Sequence, residues 1–281
     1  MEADGKVSGE LFLRSGSFGI DRSLGGGYPR GQFVEIAGPR GGGKSTLALH
    51  AVAEVQRRGG RALYVHTSPL DFYLGQLIGV DPSSCVEVEG VLAGFALIDH
   101  TLSRGRYKLV VLDADDLVAR PSTQTFDWPL MIANCSVLRA RSRLRDASTT
   151  LMVTVRRPTP AARIPYKPLL RGAGVSIELG YRQERHDGLA LRAMIHRRGT
   201  EPEEKSRLIP LSPDGGICHY REAVELALEL GLIEAGELSF RRNGVTIALS
   251  AGGCVQWLRA NPDEFVDLIR AIQQAAKETS R

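Results

Sequence analysis

The stretch Gly38-Pro-Arg-Gly-Gly-Gly-Lys-Ser45 carries the strongest structural signal in this sequence. It follows an apolar run, Phe33-Val-Glu-Ile-Ala37, and precedes an amphipathic run, Thr46-Leu-Ala-Leu-His-Ala-Val-Ala-Glu-Val55. That order predicts a strand, a glycine-rich turn and a helix. The eight residues fit G-x-x-x-x-G-K-[ST] at every defined position, and this pattern describes a phosphate-binding loop. The flanking strand and helix make a chance match by a flexible loop the weaker explanation.

Each residue type in this loop has a chemical reason. Glycines let backbone N–H groups close around phosphates, and the new helix points its positive end at them. Lys44 would reach the terminal phosphates, and the Ser45 hydroxyl would complete the coordination of Mg²⁺. The residues that we expect to hold a nucleotide here are Gly38, Pro39, Arg40, Gly41, Gly42, Gly43, Lys44, Ser45 and Thr46.

Composition limits the class of protein. The 281 residues are 43% hydrophobic and 24% charged, which is typical of a soluble globular chain. No apolar run approaches the ~18 residues of a membrane span, and Met1-Glu-Ala-Asp-Gly5 does not resemble a signal peptide. Cys85, Cys135, Cys218 and Cys254 are scattered without metal-ligand spacing. We therefore expect a cytoplasmic protein with reduced thiols.

A second functional carboxylate is expected at the end of an apolar strand. The run Tyr107-Lys-Leu-Val-Val-Leu-Asp113 stands about 70 residues after the phosphate-binding loop. In proteins with such a loop this is the Walker B pattern, whose aspartate binds Mg²⁺ through water or orients it. A buried strand with an acid at its end is the plainer alternative. We assign the metal to Ser45 and Asp113.

The order of the patterns predicts the architecture. Strands and helices alternate in the first half, which favours an α/β fold with a mostly parallel sheet and helices on both faces. Pro213-Asp-Gly-Gly216 marks a boundary. We expect a nucleotide-binding core over residues 1–212, including a short N-terminal segment 1–14, and a small α+β domain over residues 213–281. A hairpin in that small domain would turn at Asn243-Gly244.

Three stretches resemble a known family. They are residues 14–39, the pair Asp71 and Tyr73 with Gly79-Val-Asp81, and the C-terminal pieces Gly215–Tyr220, Gly231–Glu234 and Trp257–Pro262. With these stretches the sequence resembles the RecA family of DNA recombinases along most of its length. The resemblance implies a RecA-type core that binds ATP and Mg²⁺, with adenine held beside Asp71 and Tyr73.

The departures from the family concern hydrolysis and assembly. The family's strand after the first helix ends in a glutamate that activates water, whereas this sequence has Ser68 there and no carboxylate before Asp71. The family's Asn-Gln pair, whose glutamine senses the γ-phosphate, is replaced by Val155-Arg156. Only about 14 residues precede the matching region, so we expect the family's filament-building arm to be missing. The resemblance thus supports nucleotide binding more than fast hydrolysis.

Basic residues cluster where the family binds DNA. From residue 139 to residue 171 there are nine basic residues and one acid, Asp146. Such a cluster suits contacts with phosphates, although a solvated helix face with a loop, or a surface for an acidic partner, is the alternative. The residues that we expect to bind single-stranded DNA are Arg156, Arg157, Arg163, Lys167 and Arg171.

His196 and Arg198 follow a predicted strand. They match a pair of lysines with which RecA reaches the nucleotide of its neighbour, and cations that cross an interface in this way act like arginine fingers. A solvated strand end without a function explains these two residues equally well.

Three functions remain open at this point. The first is a divergent RecA-like protein that binds ATP–Mg²⁺ and single-stranded DNA and assists recombination or repair beside a true recombinase. The second is a RecA-derived adaptor in the SOS or translesion response, similar to the ImuA accessory factors, which docks a translesion polymerase factor. The third is a full recombinase with a relocated catalytic acid, for which Glu87, Asp115 and Asp116 are candidates.

Overall fold

The computed structural model describes residues 11–114, 136, 139–140, 142–157, 172–185, 188–198 and 205–278. The predictions for Arg163, Lys167, Arg171, Asp115 and Asp116 lie outside these residues. Within the described ranges, none of the helices combines the length and apolar composition needed to cross a bilayer.

Strands and helices alternate along the core, as the sequence predicts. The strands are β1 (Phe12–Leu13), β2 (Tyr28–Pro29), β3 (Phe33–Gly38), β4 (Ala62–His66), β5 (Cys85–Glu87), β6 (Leu109–Asp113), β7 (Thr150–Arg156), β8 (Val175–Arg185), β9 (Gly188–Arg197), β10 (Lys205–Pro210), β11 (Glu234–Ala235), β12 (Phe240–Arg242) and β13 (Val245–Ala248). The helices are α1 (Phe18–Ser23), α2 (Lys44–Arg57), α3 (Phe72–Ile78), α4 (Gly90–Leu102), α5 (His219–Glu229), α6 (Ala251–Ala260) and α7 (Pro262–Glu278). Residues 142–146 are also helical.

The main sheet of the described residues has eight strands in the order β10-β9-β8-β3-β7-β6-β4-β5. The strands from β8 to β5 in this order pair in parallel, whereas β9 and β10 are antiparallel additions at one edge. Strand β3 is buried on both faces: Val34 and Ile36 pack into one apolar cluster, and Phe33 and Ala37 pack into another. A strand that is buried along its whole length requires cover on both faces, which helices provide. The predicted α/β fold class is confirmed.

Parallel pairing brings several strand ends to one edge of the sheet. Gly38 ends β3, Asp113 ends β6, Arg156 ends β7 and His66 ends β4. In open α/β sheets, ligands bind in the crevice outside the carboxyl ends of the strands. The fold therefore places the phosphate-binding loop and Asp113 at the same edge.

The C-terminal part has an apolar cluster of its own. Its fully or nearly fully buried members include Val224 on α5, Leu258 on α6, Leu268 on α7, and Ile233 directly before β11. Strands β12 and β13 form the expected hairpin, and its turn residues Asn243 and Gly244 both have positive φ, 51° and 79°. The domain boundary between residues 212 and 213 stays a prediction.

A buried carboxylate joins the C-terminal part to the core. Glu222 on α5 accepts hydrogen bonds from the Ser17 hydroxyl and from the backbone N–H groups of Phe18 and Gly19, both at 3.1 Å. These donors stand at the start of α1, where the helix lacks internal acceptors. Burial outweighs the three hydrogen bonds and raises the pKa of Glu222 from 4.5 to about 7.

The raised pKa predicts an unusual pH dependence for this joint. Between pH 4.5 and 7 the folded state holds the Glu222 proton that the unfolded state has lost, so the free energy of unfolding falls as pH rises through that window. Relative to Glu222→Gln, the free energy of unfolding of the wild type should fall by up to about 3 kcal/mol across this pH window. Urea unfolding at pH 5 and pH 7.5 measures this difference.

Glu234→Gln is the control, because Glu234 is an exposed carboxylate in the same part of the chain. A constant difference in stability between the wild type and Glu222→Gln at both pH values would contradict the proposed titration.

Candidate nucleotide-binding site

The phosphate-binding loop has the backbone that its glycines predict. Gly41 and Gly43 both have positive φ, 71° and 86°, a region that glycine adopts without strain. A Cβ added to Gly43 would lie 2.5 Å from Cδ1 of Leu191, so a side chain at this position would clash with strand β9. A Cβ added to Gly41 would meet nothing within 4 Å. The loop therefore packs on the sheet at Gly43 and faces open space at Gly41.

Lys44 begins α2 and is almost fully buried. Its Nζ donates a hydrogen bond of 2.9 Å to the backbone oxygen of Pro39, so the side chain folds back across the loop. The loop thus encloses an ammonium group beside the positive end of a helix, and both favour a bound phosphate.

A cavity of about 400 Å³ opens beside this loop. It brings together most of the predicted nucleotide-binding residues with several that the sequence did not indicate. It is lined by Arg40, Gly41, Gly43, Lys44, Ser45, Thr46, Leu49, Ser68, Pro69, Leu70, Asp71, Leu74, Asp113 and Arg182.

Four predicted residues do not line this cavity. Gly38, Pro39 and Gly42 shape the strand end and the loop. Tyr73 lies on α3 with 70% of its surface exposed, whereas Asp71 caps the start of that helix by accepting a hydrogen bond from the Leu74 N–H at 2.9 Å.

The carboxylate of Asp113 is held by two hydroxyl groups. Tyr64 donates a hydrogen bond to Oδ2, and Thr154 donates one of 2.6 Å to Oδ1. The Thr154 hydroxyl oxygen in turn accepts from the Ala114 N–H at 3.0 Å. Burial and the neighbouring Asp113 charge raise the pKa of Tyr64 well above its ordinary value. Tyr64 is therefore a neutral hydrogen-bond donor to Asp113.

Sequence reasoning missed Tyr64 and Thr154. Both are fully buried within their strands, and both have apolar residues on either side along the chain. The available signal was a hydroxyl group between apolar residues, because a buried hydroxyl needs a partner.

Arg182 was also missed, because a β-bulge directs its side chain. Leu179 pairs with Ala193 and Arg182 pairs with Leu191, so Gly180 and Tyr181 stand opposite a single residue of β9. Bulges of this kind commonly re-aim side chains beside functional sites. Arg182 is exposed, lines the cavity, and makes no ion pair with the described residues.

The described carboxylates that line the cavity are Asp71 and Asp113. Asp71 caps α3, and Asp113 accepts the two hydroxyl hydrogen bonds. Ser68 lines the cavity where the family has its catalytic glutamate, and Glu87 on β5 is exposed and does not line it. Neither Asp71 nor Asp113 is therefore positioned to act as a general base.

The two described arginines of the predicted DNA-binding set differ in environment. Arg156 ends β7, where it pairs with Gly38 of β3, and is half-buried. Arg157 donates its backbone N–H to the Gly38 oxygen at 2.8 Å and forms an ion pair of 2.8 Å with Glu178. Arg156 is therefore the described arginine of this set that is better placed to meet an external phosphate.

His196 and Arg198 lie at the opposite edge of the sheet from the phosphate-binding loop. His196 pairs with Ser176, and the Arg198 N–H donates to the Gly174 oxygen at 2.9 Å. Gly174 in turn donates to Phe33, the first residue of β3. The length of β3 separates this edge of the sheet from the phosphate-binding loop of the same chain by about 16 Å. The role of His196 and Arg198 at an interface with a neighbouring molecule stays a prediction.

Comparison with known proteins identifies the relatives. The model of the RecA N-terminal domain matches residues 5–118. Protein RecA 1 of Myxococcus xanthus is 28% identical over 284 residues, which cover 92% of this chain and 83% of that protein. Over most of its length the chain is similar to RecA proteins at low identity.

A shorter part of the chain has a higher sequence identity to known proteins. Protein RecA of Limosilactobacillus reuteri is 44% identical over 106 residues, but these span 36% of this chain and 29% of the relative's length. Among solved structures, the KaiC-like protein PH0186 from Pyrococcus horikoshii OT3 matches with a TM-score of 0.53 and 20% identity, covering 73% of this RecA-like chain and 98% of that one. This likeness shows a shared fold.

The buried ammonium group gives the first prediction for the site. Lys44→Ala removes a charged hydrogen-bond donor from the loop, so ATP affinity should fall roughly 10- to 100-fold. Titration with a fluorescent ATP analogue measures the change. Lys108→Ala is the matched control because Lys108 is exposed outside the cavity. Unchanged binding in Lys44→Ala would remove the loop from the site.

The β-bulge that presents Arg182 gives the second prediction for the site. Because Arg182 faces the cavity, Arg182→Ala should weaken ATP binding by about tenfold through the loss of one charged contact. Arg192→Ala, an exposed arginine of the neighbouring strand that does not line the cavity, should bind as the wild type does. Equal affinities for all three proteins would show that the bulge does not serve the nucleotide.

Proposed function

We propose that this RecA-like protein binds ATP with Mg²⁺ and single-stranded DNA, and assists recombination or repair as a mediator rather than as the strand-exchange engine. The observation that carries this proposal is a complete phosphate-binding loop in a cavity whose described carboxylates are both already engaged. Such a site favours holding a nucleotide over hydrolysing it quickly.

The residues present fit ATP and its metal. Backbone N–H groups of the loop, Lys44 and the N-terminus of α2 would bind the phosphates. The Ser45 hydroxyl and the Asp113 carboxylate supply the oxygen ligands that Mg²⁺ prefers, either directly or through water. The metal would neutralise phosphate charge. Asp71 would meet the base or ribose, with Tyr73 close by on α3.

Weak hydrolysis follows from the absence of a positioned base among the described residues. A general base must lie within hydrogen-bond reach of the water that it activates and must accept its proton. Ser68 is a poor acceptor at neutral pH, and the Asp113 oxygens accept from Tyr64 and Thr154. We propose that bound ATP acts mainly as a conformational signal.

The DNA side of the proposal rests on the register of the central strands. Arg156 is the parallel partner of Gly38, the first residue of the phosphate-binding loop. Arg157 is anchored to the same strand end through its backbone and to Glu178 through its guanidinium group. The chain that continues from Arg157 is covalently tied to this edge of the nucleotide site. We propose that nucleotide binding in this way sets the affinity for DNA.

A second function is favoured by a different observation. The C-terminal hairpin region exposes Leu238, Val245 and Leu249, which are 83%, 64% and 79% exposed. Exposed apolar side chains in one region indicate an interaction surface. An adaptor similar to the ImuA factors would use such a surface to dock a translesion polymerase factor or a true RecA recombinase, and would keep the nucleotide for structural purposes.

One experiment separates these functions. ATP turnover is measured with and without single-stranded DNA, beside equilibrium ATP binding on the same sample. The mediator should bind ATP, bind DNA in a salt-dependent way and show little DNA-stimulated turnover. Tight ATP binding without DNA binding would favour the adaptor. Turnover that rises with DNA would overturn the mediator and favour a recombinase with a relocated acid.

The basic cluster predicts a salt dependence. Replacing Arg156, Arg157 and Arg163 together with Ala should weaken binding to single-stranded DNA and reduce the slope of log K against log salt by about 2, since each phosphate contact on a single strand contributes about 0.7. Fluorescence anisotropy between low and moderate salt measures both effects.

The matched control replaces Arg58, Arg104 and Arg106, three exposed arginines that precede β4 and β6 at the opposite edge of the sheet. The control should leave the slope unchanged. An unchanged slope in the first triple variant would exclude this loop from DNA binding.

A further inference from the structure

A second cavity, of about 370 Å³, lies between the segment of β1 and α1 on one side and helix α7 on the other. Ligand sites occur preferentially where two parts of a protein meet, and this volume is within the range usual for them. None of its described lining residues also lines the nucleotide cavity. They are Leu11, Phe12, Arg14, Phe18, Asp21, Arg22, Gly25, Gly26, Ile272 and Gln273.

One part of the cavity wall is apolar and aromatic. Phe12 and Phe18 are half-buried, so both rings keep exposed surface. The aliphatic side chains of Leu11 and Ile272 add to this part of the wall. Aromatic side chains are the platforms on which proteins stack planar rings such as nucleic acid bases. The wall therefore suits a ligand with a flat ring.

The wall also holds a buried carboxylate. The side chain of Asp21 is 8% exposed, and its Oδ1 accepts the Ser15 N–H at 2.8 Å. Its Oδ2 lies 3.5 Å from Nη1 of Arg14, which is longer than an ordinary hydrogen bond. Burial outweighs these donors and raises the pKa of Asp21 from 3.8 to about 7. Among the described residues, Oδ2 therefore lacks a close hydrogen-bond donor.

The guanidinium groups of the wall carry more charge than the described carboxylates beside them neutralise. Arg14 reaches Asp21 at the long distance of 3.5 Å. Arg22 forms an ion pair of 2.9 Å with Glu229, but Glu229 also pairs with Arg207 at 2.8 Å. One carboxylate thus serves two guanidinium groups. The remaining positive charge beside the cavity suits a phosphate, which arginine binds well.

These groups together restrict the chemistry of the ligand. A simple cation would be repelled by Arg14 and Arg22, and a simple anion would be repelled by the charged form of Asp21. A ligand that satisfies both needs a neutral hydrogen-bond donor at one end and an anion at the other. The exocyclic amino group of a purine base is a neutral donor, and the phosphate of the same nucleotide is the anion.

We propose that this cavity is a second nucleotide site, which binds a free purine nucleotide whose base carries an exocyclic amino group. Asp21 accepts from that amino group, and Arg14 and Arg22 hold the phosphate. The aromatic rings of the wall stack on the base. Because α7 supplies Ile272 and Gln273, the bound nucleotide contacts the core and the C-terminal part at once.

Nucleoside monophosphates separate this site from the first, because the lysine of a phosphate-binding loop serves the β- and γ-phosphates. The binding of AMP and of GMP is measured by equilibrium dialysis. For the better ligand of the two, Lys44→Ala should bind one nucleotide per chain with the Kd of the wild type. Loss of this binding in Lys44→Ala overturns the proposal. So does the lack of saturable binding of both ligands to the wild type up to millimolar concentration.

Ligand analogues test the two recognised groups without any change to the protein. The analogue that lacks the amino group is purine riboside monophosphate for AMP and IMP for GMP. The analogue that lacks the phosphate is the nucleoside. Each should bind about tenfold more weakly than the monophosphate. Equal affinity for either analogue overturns the proposal, and this arm holds even if a variant does not fold.

Two substitutions test the residues themselves. Arg14→Ala should weaken binding of the monophosphate about tenfold and leave binding of the nucleoside unchanged. Asp21→Asn should remove the preference for the ligand with the amino group. Arg270→Ala is the matched control and should bind as the wild type does, because Arg270 is exposed on α7 and does not line the cavity. Equal affinities of the wild type and Arg14→Ala for the monophosphate overturn the proposal.

The two sites fail independently in these measurements. A wild type that binds AMP or GMP in this way but does not bind ATP at the phosphate-binding loop would overturn the proposed function and leave the second site standing. A wild type that binds ATP, with all monophosphate binding abolished by Lys44→Ala, would overturn the second site alone.

Discussion

The close contact between Gly43 and Leu191 is the constraint on which the site depends. A left-handed glycine lets the loop turn directly from β3 into α2 while its backbone lies against β9. Strand β9 is antiparallel to β8, which carries the bulge that presents Arg182. The phosphate-binding loop and the antiparallel edge of the sheet are therefore fitted to each other, and the cavity is bounded by both.

Sequence patterns predicted the parts of this structure that depend on local chemistry. The strand, glycine turn and helix around Lys44, the strand ending in Asp113 and the Asn243-Gly244 hairpin all follow from residues near each other in the chain. Periodicity and turn preferences are local properties, so they are visible in a single sequence. The α/β class follows from their order.

The missed features depend on which strands become neighbours. In sequence, Tyr64 is one aromatic in an apolar run and indicates only a core position. Its role comes from the pairing of β4 with β6, in which Tyr64 is the partner of Val111, two residues before Asp113. Arg182 lacks a local signal as well, because a bulge is a mismatch of two strands and neither strand shows it alone. Contacts of this kind require the register of the sheet.

The Glu222 joint has a consequence for how the molecule unfolds. Its carboxylate accepts from three donors at the start of α1, and Glu229 of the same helix forms ion pairs with Arg22 and Arg207 of the core. Loss of the C-terminal part would leave the start of α1, at Phe18, without its acceptor, in the segment that precedes the strand beginning at Phe33 and leading into the phosphate-binding loop. We therefore expect the two parts to unfold together, although each has an apolar cluster of its own.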